Sequence, residues 1–282
     1  MESQKEEKRK GLVQGALVVL LIVASFLIGS LYTKVQYLEK GGGRATTTVA
    51  GDTTGAAQAQ PQAPAKPTVS LDQIKNIYKE AVVKFGDTNK KALFVEVADP
   101  SCPYCHVAAG KNPSLNSAID KQSGRNQFTM VADGGTYVAP VEEMKKLVDA
   151  GKAAFVWLYT PGHGNGEMGT KAMYCAFEKG KFWEVHDLLM TSTGYDLLNN
   201  TIKNDKAKSQ ELADFLKPAF DATQMKNCLD SGKYEDQLSK DIKLASGVGI
   251  TGTPGFFVNT TSFAGAYSWK DMESTVNEAL GK

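Results

Sequence analysis

The chain lacks an excess of either charge. Lys and Arg number 32 against 31 Asp and Glu, a formal net charge of +1 over 282 residues. That balance argues against a nucleic-acid binder driven by bulk positive charge. Cysteine is scarce, with four residues, too few for a disulfide-stapled scaffold; whatever these four do depends on where they stand. Histidine is scarcer still, with three, at 106, 163 and 186. Zinc sites take four ligands, usually including a second close pair. Here the histidines form no spaced pair, and Cys175 and Cys228 lie far from each other and from Cys102 and Cys105, so no metal is expected. Internal repeats are absent as well. What the chain does have is 42% hydrophobic residues, enough for a packed core and too many for wholesale disorder.

One further absence is local. Gly11 to Thr33 holds no charged residue across 23 positions. A helix of that length spans about 34 Å, enough for a hydrocarbon core of about 30 Å. Soluble helices are amphipathic, and this one is apolar all round. A cleaved signal peptide is the rival reading, but the stretch is long and no A-x-A-like site follows closely. The expectation is an uncleaved transmembrane anchor at 11–33, with residues 1–10 as a cytoplasmic tail. Flanking Lys and Arg set orientation only weakly, four before against three after. Residues 34–69, rich in Gly, Ala, Thr, Gln and Pro from 41 onward, read as a flexible linker whose tether part spans about 30 Å as a coil. Removing 1–69 leaves 24 basic and 26 acidic residues in 70–282, a part with no electrostatic hint of a charged ligand.

Within 70–282 the pattern alternates. Ser70 caps a helix starting at Leu71. Residues 91–98 and 153–159 read as buried strands. Residues 128–131 and 136–138 flank Ala-Asp-Gly-Gly and predict a hairpin. Helical spacing covers 141–150 and most of 168–246, with interruptions near Gly194 and Pro218. A short strand follows at 256–258, with 263–266 placed to pair with it, and Ser268 caps a last helix running through Leu280. Strands alternating with helices, plus one long helical block, predict an α/β layer carrying an all-helical insertion at about 166–247.

The first strand runs into Cys102-Pro103-Tyr104-Cys105-His106. A Cys-x-x-Cys pair can bind metal, attach haem or cycle between dithiol and disulfide. The haem pattern C-x-x-C-H is met literally, but the motif follows an apolar strand in an α/β pattern; the plain reading of His106 is a residue of a helix's first turn. Redox chemistry accounts for the most. A thiolate at a helix N-terminus meets the positive end of the dipole, its pKa falls, and it attacks disulfides at neutral pH. Cys102 would be the exposed nucleophile and Cys105, one turn further in, the shielded resolving thiol. Pro103 suits an early helical position, and Tyr104 adjusts the thiolate's surroundings. Glu96 stands in an otherwise apolar strand, where a carboxylate is costly without a task or a partner. It is either a raised-pKa acid/base exchanging protons with Cys105 or a carboxylate on the exposed face of an edge strand. Thr253-Pro254 precedes Phe-Phe-Val. A cis bond there would set the Thr253 backbone beside the Cys pair, ready to pair with an extended substrate; on the residues alone an ordinary trans turn between helix and strand is the reading that prevails.

Strand, Cys-Pro-Tyr-Cys, helical insert and Gly-Thr-Pro before Phe-Phe-Val together resemble the thioredoxin superfamily, and more narrowly its DsbA/BdbD-type thiol-disulfide oxidoreductases. The most specific pieces are residues 94–105, 180–189 and 249–258. The resemblance implies a thioredoxin fold with a helical insertion at 70–282. In it Cys102 attacks, Cys105 resolves, Glu96 matches the buried acid and Pro254 the cis-proline, with Thr253 before it contacting substrate. Residues 111–139 depart from the family pattern. Cys175 and Cys228 both fall in the helical block. In an oxidising compartment they would form a structural disulfide; otherwise they are buried thiols acting as small hydrophobes.

The reading that follows is a membrane-anchored extracytoplasmic oxidoreductase that introduces disulfides into reduced or misfolded proteins and needs no cofactor beyond its own Cys102–Cys105 disulfide. A DsbB-like or vitamin-K-epoxide-reductase-like membrane partner would reoxidise it, and nucleic acid plays no part. An isomerase or reductase of the same fold is the alternative with the same chemistry. A tethered, non-redox peptide-binding or chaperone module is the alternative of another class.

Overall fold

The structure, a computed structural model, describes residues 69–282. The expected tail, anchor and nearly all of the linker lie outside them. Among the described residues no helix is long and apolar enough to cross a membrane.

The centre is a five-stranded sheet of β1 (Val83–Phe85), β2 (Ala92–Ala98), β3 (Ala153–Tyr159), β4 (Gly255–Val258) and β5 (Thr261–Ala264). Its order is β1-β3-β2-β4-β5. β2 and β3 run parallel; the other pairs are antiparallel. Every residue of β2 and β3 is buried, and both strands read as continuous apolar runs, as strands covered on both faces do. Alternation sorts their side chains between the faces. Leu93, Val95 and Val97 join Val156, Leu158 and Phe257 under helix α1 (Leu71–Glu80). Phe94 and Ala98 join Phe155, Trp157 and Phe256 on the other face. By the same alternation Glu96 lies on this second face. Trp157, Phe94, Phe155 and Phe256 are fully buried there, each worth roughly 1.5–3 kcal/mol relative to exposure. β1 is three residues long, and its pattern was too short to stand out in the sequence.

Ser70 caps α1 through a capping box with Gln73. After β2 come α2 (Pro103–Ala109), α3 (Pro113–Ser123) and α4 (Pro140–Asp149). Gly110 ends α2 at φ 72° and lies so close to Ala139 that a side chain there would collide with it. The expected hairpin at 128–138 does not form. Met130 and Tyr137 share one isolated bridge around a tight turn at 131–133. The cause is Asp120, whose carboxylate accepts from the N–H groups of Gln127, Phe128 and Thr129 at 2.7–3.0 Å. Those donors are then lost to any strand ladder.

Between β3 and β4 the chain is helical: α5 (Glu167–Phe177), α6 (Phe182–Leu189), α7 (Ser192–Asp196) with a wider turn at 197–202, α8 (Ser209–Leu216), α9 (Ala222–Asp230) and α10 (Glu235–Gly247). Cys175 on α5 and Cys228 on α9 are joined by a disulfide, Cα to Cα 6.1 Å. The last helix, α11 (Trp269–Leu280), starts at Ser268 with a capping box to Asp271 and buries Met272 and Val276.

Candidate active site

β2 is the middle strand of the sheet, and the turn at its C-terminal end delivers Cys102 to the start of α2. Cys102 is the N-cap; its carbonyl accepts from the N–H groups of Cys105 and His106 at 3.1 and 3.2 Å. Pro103 takes the first helical position, where its fixed φ fits and its missing N–H costs nothing. Cys102 and Cys105 are free thiols. The hydrogen bond from the Cys105 thiol draws the Cys102 pKa down most. The Thr253 hydroxyl and the N–H groups of Cys105 and Tyr104 add to this against the opposing effect of burial, and the result is about 6. At pH 7 a thiol of that pKa is about ten parts thiolate to one part thiol. Burial holds the Cys105 pKa well above its ordinary value, and the Cys102 charge adds to the rise. The two thiols are thus unequal, one drawn down and the other held up.

The Thr253–Pro254 peptide is cis, and the Thr253 carbonyl oxygen lies 3.5 Å from Cys102 Sγ. Chain segments 151 residues apart meet there. The Thr253 hydroxyl is buried with no partner while Cys102 is a thiol; it is a donor available to the thiolate. Glu96 is fully buried, with Trp157 and Phe256 as its neighbours in the sheet register. Both its carboxyl oxygens lack hydrogen-bond partners. Burial alone pushes its pKa to about 8. The strand is central, so the exposed-edge reading of Glu96 is excluded.

Cys102, expected to be exposed, is buried. The residue is 4% exposed, and the cause is Asp99, which sequence reading passed over. Asp99 is fully buried. One carboxylate oxygen accepts from the Ser101 N–H and hydroxyl at 2.7 and 2.6 Å. The other accepts from the N–H groups of Gly162, His163 and Gly164 at 2.7, 2.9 and 3.3 Å. This folds the loop at 161–166 onto Cys102, close enough that a side chain at Gly162 would collide with Thr253 and crowd Cys102. The backbone of Asp99 also serves the pair: its N–H points at Cys105 Sγ at 3.4 Å and its carbonyl accepts from Cys102 N at 2.9 Å. The one signal in the sequence was a carboxylate three residues before the first cysteine; its loop partners lie 63 to 65 residues away.

Beside the pair runs a groove of about 480 Å³ that reaches from Tyr104 and Thr253 past Phe128 and Tyr137 to Tyr267 and Asp271. Tyr104 is half exposed and meets Phe128 edge to face at 5.8 Å. Phe128 and Tyr137 come from the departing stretch 111–139, which therefore forms one wall of the groove. His106 is fully buried. Its two ring nitrogens lie 2.8 and 2.9 Å from the carbonyl oxygens of Met190 and Pro100. Neither nitrogen is free to ligate a haem iron, so the C-x-x-C-H match does not make a haem site. Trp183 and His186 pack among Phe155, Phe182 and each other, away from the pair.

A mixed sheet with a Cys-x-x-Cys pair at the strand-to-helix junction, facing a cis-proline, defines a thioredoxin-like α/β protein. Residues 138–278, half of the chain, match the family described as Thioredoxin, and the chain belongs to that family. Solved structures similar to it include oxidised BdbD from Bacillus subtilis, 19% identical, with a TM-score of 0.50 over 73% of this chain and 95% of that one. The reduced disulfide bond oxidoreductase DsbG from Mycobacterium tuberculosis is likewise 19% identical, with a TM-score of 0.50 over 75% and 93%. The catalytic domain of Proteus mirabilis ScsC is 16% identical, with a TM-score of 0.50 over 76% and 100%. At such identities the likeness is one of fold. Among curated proteins, Na(+)/H(+) antiporter NhaA 3 of Salinispora tropica is 25% identical over 199 residues, 69% of this chain and 24% of that protein. NhaA 1 of Salinispora arenicola is 26% identical over 202 residues, again 69% and 24%. The chain thus spans about a quarter of the length of these curated relatives.

Proposed function

We propose that the chain is a thiol-disulfide oxidoreductase that introduces disulfides into reduced proteins through Cys102 and Cys105. The observation that carries this is the unequal pair of thiols, one drawn down to about 6 and the other held up by burial, opposite the Thr253 carbonyl. In the reaction a substrate thiolate attacks Cys102 Sγ of the Cys102–Cys105 disulfide. Cys105 leaves and takes a proton from Glu96, whose raised pKa keeps one available near neutrality. The second substrate thiolate then attacks its own sulfur in the mixed disulfide, and Cys102 leaves as a stable thiolate. The cis turn offers the Thr253 carbonyl and the groove beyond it to an extended substrate backbone. No cofactor other than the disulfide is required.

The apolar, charge-free stretch 11–33 would anchor the protein in the cell membrane, N-terminus inside and catalytic domain outside. The bridged Cys175–Cys228 pair supports that side, since structural disulfides persist in oxidising compartments. A quinone-linked membrane protein of DsbB or vitamin-K-epoxide-reductase type would return the pair to the disulfide. The test is the reduction potential of Cys102–Cys105. A value near about −120 mV fits a disulfide donor, and one near about −270 mV makes the protein a reductant instead. Loss of dithiol-peptide oxidation in Cys102→Ser fits the mechanism; retained oxidation rejects it.

A further inference from the structure

The groove beside the cysteine pair gathers what the rest of the surface lacks. Among the described residues only two aromatic side chains are exposed, Tyr104 and Tyr267, and both line it. Phe128 and Tyr137, both buried, line it too. Tyr104 meets Phe128, and Phe128 meets Tyr137, each edge to face at 5.8 Å with ring planes 65° and 77° apart. The rings therefore wall the groove rather than stack across it. They are also tied to the start of α11. The Tyr137 hydroxyl donates to the Tyr267 carbonyl at 3.2 Å, and the Trp269 N–H donates to the Val138 carbonyl at 2.8 Å.

Asp271 stands in the first turn of α11. Of the described residues that line the groove, it alone is acidic or basic. Its Oδ2 accepts from the Ser268 N–H at 3.1 Å in the capping box; that box leaves Oδ1 over. None of the ion pairs among the described residues involves Asp271. The Tyr137 phenol registers the charge: burial raises its pKa, and Asp271 raises it further. The carboxylate is thus felt inside the aromatic wall.

An aromatic groove accepts either an apolar side chain or a cation, and Asp271 decides between them. An apolar side chain lying over it would strip water from a carboxylate and return no partner. The ammonium of lysine or the guanidinium of arginine would pair with the spare oxygen while its alkyl stem lies along the rings. A substrate carboxylate would be repelled. We propose that this groove is a subsite for a lysine or arginine in the stretch of substrate chain beside the reacting cysteine, and that Asp271 is its specificity-determining residue. The proposal rests on the oxidoreductase reading above, which sets the substrate backbone at the Thr253 carbonyl on the groove's edge.

The test uses the full-length protein and two sets of extended peptides with Lys, Leu or Glu stepped through the positions flanking one site. In the first set that site is serine, so binding is read by calorimetry without any exchange. At one position Lys is expected to bind about five-fold more tightly than Leu, the size open to a part-exposed ion pair joined to a cation–π contact, and Glu more weakly than either. Asp271→Asn should remove the preference of Lys over Leu, and raised salt should shrink it in the wild type. Leu binding as tightly as Lys at every position, a preference unmoved by Asp271→Asn or by salt, or no binding by any peptide overturns the proposal. In the second set the site is one cysteine of a dithiol, and oxidation should follow the same order. A protein that oxidises none of these peptides counts against the reaction, whereas Lys and Leu peptides oxidised at equal rates count against the subsite.

Discussion

Replacing Glu96 by Gln tests the site through its effect on stability. The side chain is fully buried, neither carboxyl oxygen has a partner, and its pKa rises from an ordinary 4.5 to about 8. In the unfolded chain the carboxyl ionises above 4.5; in the native protein it keeps its proton until about 8. Between those values the native state holds one proton more, so stability falls as pH rises, by about 1.4 kcal/mol per unit. Over the whole window the loss comes to about 5 kcal/mol. Below 4.5 both states are protonated and the effect vanishes. Glu96→Gln keeps the shape and abolishes the titration, while every other group titrates equally in the two proteins. Guanidinium unfolding of the reduced proteins at pH 5, 6, 7 and 8 should therefore show the variant gaining on the wild type at each step, by several kcal/mol at pH 8. Parallel pH dependences would refute the claim that a protonated acid sits beneath the cysteine pair, and with it the proton donor for Cys105.

Three further outcomes follow from the geometry. Iodoacetamide should modify Cys102 with a pH midpoint of about 6, and should leave Cys105 unmodified while the protein is folded; mass mapping across a pH series checks both. Replacing Cys175 and Cys228 together by Ser opens a loop with a sequence separation of 53 and should destabilise the protein by about 4 kcal/mol in the chain-entropy model, measured by denaturant unfolding, without moving the Cys102 alkylation midpoint. Asp99→Ala strands the buried N–H and hydroxyl donors of Ser101 and releases the N–H groups of Gly162 and His163. It should cost about 3 kcal/mol and speed Cys102 alkylation at saturating pH, because the 161–166 loop no longer closes over the sulfur; an unchanged rate would mean that the loop does not control access.

Much of the site could be read from the chain because it is local. β2 runs straight into Cys102-Pro103-Tyr104-Cys105, so a buried acid, both thiols and a helix start lie within ten residues. Pro254 could be located only by resemblance, because nothing near it in sequence points to Cys102. Asp99 was illegible for the opposite reason. Its neighbours look like an ordinary turn, and its meaning lies in the three N–H groups of the 162–164 loop. The hairpin reading failed at 128–138 because local turn chemistry is outweighed by Asp120, which claims the backbone donors a strand would need. The burial of Cys102 was likewise unreadable, since it depends on a loop that returns more than 60 residues later. His106 read as a plain helix residue and lies in α2; the contact of its ring with the carbonyl of Met190, 84 residues on, had no signal in the sequence.

The central claim is that Cys102, and no other thiol, makes the bond to substrate. It is tested most directly by trapping. Incubating the Cys105→Ser protein with a disulfide-linked peptide at pH 7 should release one peptide thiol and leave the other half of the peptide bound through a mixed disulfide, which mass mapping should place at Cys102 alone. An adduct elsewhere, or no adduct while the wild type still exchanges disulfides, would contradict the account.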